Sequence, residues 1–293
     1  MAVNPVFNRI DSEAAQGRYA GFGQQQPGAY PPPQGAPHIP AQGGYPGPSE
    51  SLTDEQLRQM YTQAPAGPAQ TGRLTLDDVV VKSLMLFGIV VAVAAGTWYV
   101  VGGQPGIATP IWLLGMFGSL ALSFVIARAK QVKVPLVLTH AVLQGLFLGA
   151  VSATFEMRWP GVVSTAVVAT MATFAGMFIG WKFGVIKVTS KSRRIFSMAA
   201  MGYLVFLLVN LGASFLGFGE GWGVFGMQFG WAIALLGVGL ASYSLAVDFD
   251  SVDKAVRMGA PEKYSWLLGH GLVASLVWLY IEFLRLFAIL QSD

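Results

Sequence analysis

The sequence predicts an all-α polytopic membrane protein, with seven transmembrane helices behind a disordered cytoplasmic N-terminal tail. Three observations carry that prediction. Of the 293 residues, 54% are hydrophobic and 11% charged, with a mean hydropathy of +0.55, which is too apolar for an ordinary soluble domain. Seven apolar windows each approach the ~20 residues a helix needs to cross ~30 Å of hydrocarbon. The first 72 residues, by contrast, are rich in Gly, Pro and Gln and hold no such window.

The tail, residues 1–72, is the first unit. Its stretch 19–48, YAGFGQQQPGAYPPPQGAPHIPAQGGYPGP, cannot bury enough apolar surface to offset the entropy of ordering, so disorder is expected. Within it, SLTDEQLRQMY at 51–61 has capping-box spacing from Thr53 to Gln56, with Asp54 and Glu55 in the first turn, and can form a short helix. Tyr19, Phe22, Tyr30 and Tyr45 fit either a solvated tether or weak contacts with a partner. The polar start argues against a cleavable signal peptide and makes the first apolar window a retained span.

The second unit, 73–293, holds the spans. They are expected near 79–101, 109–128, 134–155, 161–181, 195–217, 223–247 and 268–290. None alternates with a period of two over short segments, so a strand barrel is excluded. In the first span Lys82 is expected to snorkel inward. The third carries His140 and Gln144 at i, i+4 and the close-packing pattern GLFLG at 145–149; the fourth carries GMFIG at 176–180. Asn210 in the fifth is a candidate for an interhelical hydrogen bond, and Gly237 and Gly239 in the sixth allow close helix contact. His270, between two glycines at the start of the seventh, is a candidate pH sensor or simply a hydrogen-bonded histidine.

Placement of charge gives an orientation. Arg128, Lys130 and Lys133 lie between spans two and three, and Lys182, Lys187, Lys191, Arg193 and Arg194 between four and five, whereas 102–110 and 218–222 have neither Lys nor Arg. Basic loops face the cytoplasm, so the N-terminus is expected inside and the C-terminus outside. Topology alone accounts for these charges without nucleic-acid binding.

The acids are the anomaly. A carboxylate at mid-membrane costs about 2.5–3.5 kcal/mol on insertion scales, so it normally faces a bundle interior and has a partner. The sixth span runs into VDFDSVD at 247–253. Asp250 and Asp253 share a helical face, while Asp248 lies about 160° from Asp250, so either Asp248 or Asp250 turns inward and Asp253 is free to pair with Arg257. The last span contains Glu282 and Arg285, which form either an i, i+3 ion pair or a functional acid beside a snorkelling arginine. Glu156, near the outer end of span three, either collects cations or is a solvated helix end.

Several chemistries are excluded. There is no Cys, hence no disulfide or thiolate; there are three His and no HExxH, GxSxG or Walker loop, so neither an enzyme, a resident metal nor a cofactor is expected. The last span lacks the lysine a retinal protein would use.

QGLFLGAVSATFE at 144–156, AVDFDSVDKAV at 246–256 and VWLYIEFLRLFAIL at 277–290, set among seven spans, resemble the Bax inhibitor 1 family, most of all its actinobacterial branch. The opening NPVFNRI at 4–10 is similar to N-termini of that branch. In the family the sixth span ends in A-x-D-T-x-x-I and the last contains L-Y-x-D-F. Asp248 falls on the first acid, with Val252 on the aliphatic position, and Glu282 falls on the second, within Leu279 to Phe283; Gly145 and Gly149 fall on the glycine-rich third-span pattern. Here the second acid is Glu, and Phe249, Asp250 and Ser251 replace the residues after the first.

The resemblance implies a calcium-permeable cation leak in the bacterial plasma membrane, gated by a hydrogen-bonded carboxyl pair, Asp248 or Asp250 with Glu282. It also implies a basic partner at the cytoplasmic mouth, for which Arg128 is the candidate. Two close carboxyls in low dielectric titrate as a coupled unit, which suits a pH-sensitive gate. Depth sets a condition: with span six ending at Val247 and span seven starting at Leu268, Glu282 lies about 21 Å deeper than Asp248. The acids then meet only if the sixth helix continues past Asp250, or the last starts nearer Gly271 or is broken. Lipid and calcium ions are the expected partners. The alternative reading is an interaction protein that modulates a membrane quality-control protease or another membrane protein; a further one is a proton-coupled transporter using the same acids.

Overall fold

The computed structural model describes residues 72–129, 131–216 and 230–292. Among them are seven helices long and apolar enough to cross a membrane: α1 Leu76–Gly103, α2 Ala108–Arg128, α3 Val134–Arg158, α4 Val162–Lys182, α5 Ser190–Phe215, α6 Gly230–Arg257 and α7 Ser265–Leu290. The expected segment 51–61 and the aromatic residues of the tail lie outside the described residues.

Local chemistry sets the helix ends. Thr75 caps α1 with a capping box: its hydroxyl accepts from Asp78 N at 3.1 Å, and Asp78 Oδ2 accepts from Thr75 N at 2.9 Å. Helix α1 therefore starts three residues before the apolar window does. Pro135 sits in the first turn of α3, where its missing N–H is harmless. Gly161, at φ 86, makes the tight turn into α4, and Gly259, at φ 66, stops α6.

The last two helices are the inner ones. In α6 and α7 half of the most apolar window is buried, and in α3 44%, against 11–17% in α1, α2, α4 and α5. Helix α7 is the hub, packed against α1, α3, α4 and α6; α3 also packs on α1 and α2, and α5 lies against α6. Glycines permit the tightest approach. A Cβ at Gly145 would lie 2.6 Å from Val93 Cβ, and one at Gly149 would meet Ala94 O and lie 2.7 Å from Thr97 Cβ, so the expected close-contact role of this pair holds. GMFIG behaves differently: a Cβ at Gly176 meets nothing, and one at Gly180 would touch only the Ile186 side chain nearby in the chain.

The chain entering α1 is fastened to the α6–α7 connection. Arg73 bridges Pro261, Leu74 N donates to Ala260 O at 2.7 Å, and Glu262 N donates to Gly72 O at 2.9 Å. Gly72 is thus tied to the α6–α7 connection.

Candidate functional site

The sixth helix continues past Asp250, as one of the expected conditions required, and runs to Arg257; the last helix neither starts nearer Gly271 nor breaks, but begins at Ser265 and is continuous. Asp248 consequently lies inside the bundle rather than at its surface.

The two helices run antiparallel, and their register separates the carboxyls. Asp248 is buried and accepts a hydrogen bond from Ser275 Oγ of α7 at 2.5 Å. Glu282, seven residues beyond Ser275, sits opposite Gly237 of α6. Seven residues at 1.5 Å place the two acids in layers about 10 Å apart along α7. The expected hydrogen-bonded pair of Asp248 or Asp250 with Glu282 is therefore not formed. In an antiparallel pair, moving along α6 toward its C-terminus means moving along α7 toward its N-terminus, so Asp248 meets the first half of α7 and Glu282 the second.

The deeper layer is built around Glu282, 2% exposed. Tyr203 Oη of α5 donates to its Oε1 at 2.8 Å, and Trp278 Nε1, one turn earlier on α7, donates to the same oxygen at 3.0 Å. Arg285 Nη2 lies 2.9 Å from Oε2 and donates to Tyr203 Oη at 2.5 Å. The i, i+3 ion pair is thus present, and it is part of a three-helix cluster. Gly237 is essential to it, because a Cβ there would collide with Tyr203 Oη and with the carboxyl of Glu282. Both hydrogen bonds to Glu282 go to Oε1, while Oε2 is buried and faces only the Arg285 guanidinium, so the pairing with Arg285 is what makes a carboxyl tolerable here.

Asp250 faces the other way, as the 160° offset requires. It forms salt bridges with Arg193 of α5 and, at 2.7 Å, with Lys254. Asp253 pairs with Arg257 at 2.8 Å, as expected. Arg128 does not reach these acids: its guanidinium lies 5.6 Å from the Phe124 ring centroid, and Arg193 takes the position at Asp250 foreseen for it. Glu156 caps α4, accepting from Gly161 N at 2.7 Å and Val163 N at 3.2 Å, a structural use of a carboxylate at a helix N-terminus.

Further polar bridges link the inner helices. Ser152 of α3 and Tyr280 of α7 share a hydrogen bond of 2.7 Å. His140 of α3 bonds Ser123 of α2 through Nε2 at 2.8 Å, while its ring meets that of His270 on α7 edge to face at 4.3 Å. Lys82 lies 5.1 Å from the Trp266 ring at the start of α7. Asn210 donates to Phe206 O of its own helix at 2.9 Å. Among the described residues no group of three His, Cys, Asp or Glu converges to hold a metal ion.

Sequence reasoning missed Ser275, Tyr203, Trp278 and Arg193 as partners. Helical spacing carried a signal for some: Trp278 and Ser275 precede Glu282 by four and seven residues, on one face of α7. Nothing local pointed to Tyr203, which comes from 79 residues away.

Ionisable side chains buried among seven helices long and apolar enough to cross a membrane place the chain among polytopic helical membrane proteins with a polar interior. Residues 4–292, almost the whole chain, match the Bax inhibitor 1 like family, and the chain belongs to it. Among curated proteins no match is found.

Proposed function

We propose that the protein is a pH-sensitive cation leak, permeable to calcium, in the bacterial plasma membrane, with its N-terminus in the cytoplasm and its C-terminus outside. Membership of the family supports the class of function. The observation that carries the mechanism is Asp248, a buried carboxyl on the α6–α7 seam hydrogen-bonded to the Ser275 hydroxyl.

The sign follows from solvation. A neutral carboxyl is compatible with the closed seam, where a single hydroxyl serves it. An ionised one calls for further donors, which water supplies only if α6 and α7 part, so ionisation favours the open seam. The charged group that acts on it is Arg193 of α5, which is itself engaged by Asp250. The next residue, Phe249, turns toward α4 and packs among Phe174, Phe178 and Trp181, which bring no charge to that side. Once open, the carboxylate offers oxygen to a hard cation. Glu282 serves as the anchor that holds α5 to α7 while the seam moves. No catalytic step and no cofactor enters this mechanism.

A second reading, an adaptor for a membrane protease or other membrane protein, draws support from the tail, which joins the bundle beside the α6–α7 connection. A bound partner would act next to the seam. Calcium entry into liposomes holding the full-length protein separates the readings. The leak predicts entry that rises with pH; no flux at any pH favours the adaptor, and strict proton stoichiometry favours a proton-coupled transporter.

A further inference from the structure

A cavity of about 430 Å³ opens in the flank of the bundle between α1 and α4. Leu84 and Phe87 of α1 and Phe178 of α4 wall it; Val252 of α6 and Val273 and Leu276 of α7 form its floor. That volume lies in the range of sites that hold small apolar ligands. Along α1 its lining runs from Leu76 to Phe87, about 16 Å at 1.5 Å per residue, or half of a ~30 Å hydrocarbon layer. It is the half next to the basic 182–194 connection, since Trp181, at the end of α4, also lines it.

The chemistry of the lining selects the occupant. Apart from the indole N–H of Trp181 at its end, Ser83 is the one polar side chain of the lining, and that hydroxyl already donates to Val79 O at 2.7 Å, so a polar solute finds few partners. The preceding tail is a poor fit, because its amphipathic segment carries Asp54, Glu55 and Arg58, which are costly at this depth. The mouth, however, is continuous with the lipid-facing surface: Val80, Leu84 and Phe178 are exposed and apolar. At the same end, Lys182, Lys187 and Lys191 are exposed, placed to attract a phosphate.

We propose that the cavity is a binding site for one acyl chain of an anionic phospholipid from the cytoplasmic leaflet, which enters sideways between α1 and α4 with its headgroup at the 182–194 connection.

The test uses full-length protein in vesicles of phosphatidylcholine and phosphatidylglycerol, with a trace of phosphatidylglycerol carrying a diazirine midway along one acyl chain. After irradiation, adducts are mapped by mass spectrometry. Expected are adducts on the floor at Val252 and Val273, both buried and out of reach of lipids that merely surround the bundle. Loss of the floor adducts is expected in Val80→Trp/Leu84→Trp, with adducts on the exposed Leu208 of α5 unchanged. Adducts confined to outward-facing residues of the wild type would overturn the proposal whether or not the double variant folds, as would floor adducts undiminished in a folded double variant. Equal floor labelling by a phosphatidylcholine probe would overturn the assignment of an anionic headgroup.

Discussion

Gly237 shows how much a single absent methyl group can decide. Glu282 and Tyr203 meet over its Cα, and a Cβ there would overlap both. Gly237→Ala is therefore expected to destabilise the folded protein by about 1–3 kcal/mol, the usual cost of overpacking, seen as a lower midpoint of thermal unfolding in detergent. The ion pair gives a sharper test. Glu282→Gln leaves Arg285 without its buried counter-charge and is expected to cost about 3–5 kcal/mol, whereas Glu282→Gln with Arg285→Met removes both charges and recovers a large part of that loss. Equal losses in the single and double variants would show that the two side chains do not act as a pair. The 160° offset between Asp248 and Asp250 was legible in the sequence, and it correctly left room for only one inward acid. Which one turns inward was not legible, because Arg193 lies 57 residues away and reads locally as a topology charge.

At the scale of helices, seven apolar windows were readable because hydrocarbon thickness imposes a length that no local detail overrides. Their ends were less so. Helix α1 begins early because Thr75 and Asp78 cap it, and α6 outruns its apolar window because its last turns pack against protein: Val252 and Ala255 are both buried. That extension brings the acids closer than the two apolar windows implied, but the α6–α7 register, which sets Asp248 at Ser275 and Glu282 at Gly237, still keeps them about 10 Å apart. The carboxyl pair implied by resemblance thus gives way to two stations, one at Ser275 and one at Tyr203, Trp278 and Arg285. Helix packing supplies its own prediction. Gly149→Leu should drive α3 from α1, since there is no space for a Cβ between Ala94 and Thr97. It should lower the unfolding midpoint more than Gly176→Leu, whose Cβ meets open space. A comparable drop for both would argue against close α1–α3 packing.

For the whole molecule, orientation is the first issue. The absence of Cys makes it accessible to labelling, because single cysteines can be introduced into an unreactive background. A cysteine at Lys187 should react with a membrane-impermeant maleimide only after the cells are opened, and one at Gln104 in intact cells; the reverse pattern would invert the proposed topology. The tail is the second issue. Its composition was readable and its partners were not, because a segment rich in Gly, Pro and Gln carries no packing pattern that names them. If the bundle conducts by itself, removing residues 1–71 should leave calcium entry intact in liposomes; loss of entry would move the function into the tail.

In the proposed mechanism pH acts on the seam at Asp248 and not on the cluster at Glu282. Calcium entry into liposomes, measured across pH for the wild type, Asp248→Asn and Glu282→Gln, tests it most directly. Entry is expected to rise with pH in the wild type, to persist with that pH dependence in Glu282→Gln, and to stay low and flat in Asp248→Asn. A pH dependence retained in Asp248→Asn and abolished in Glu282→Gln would contradict it.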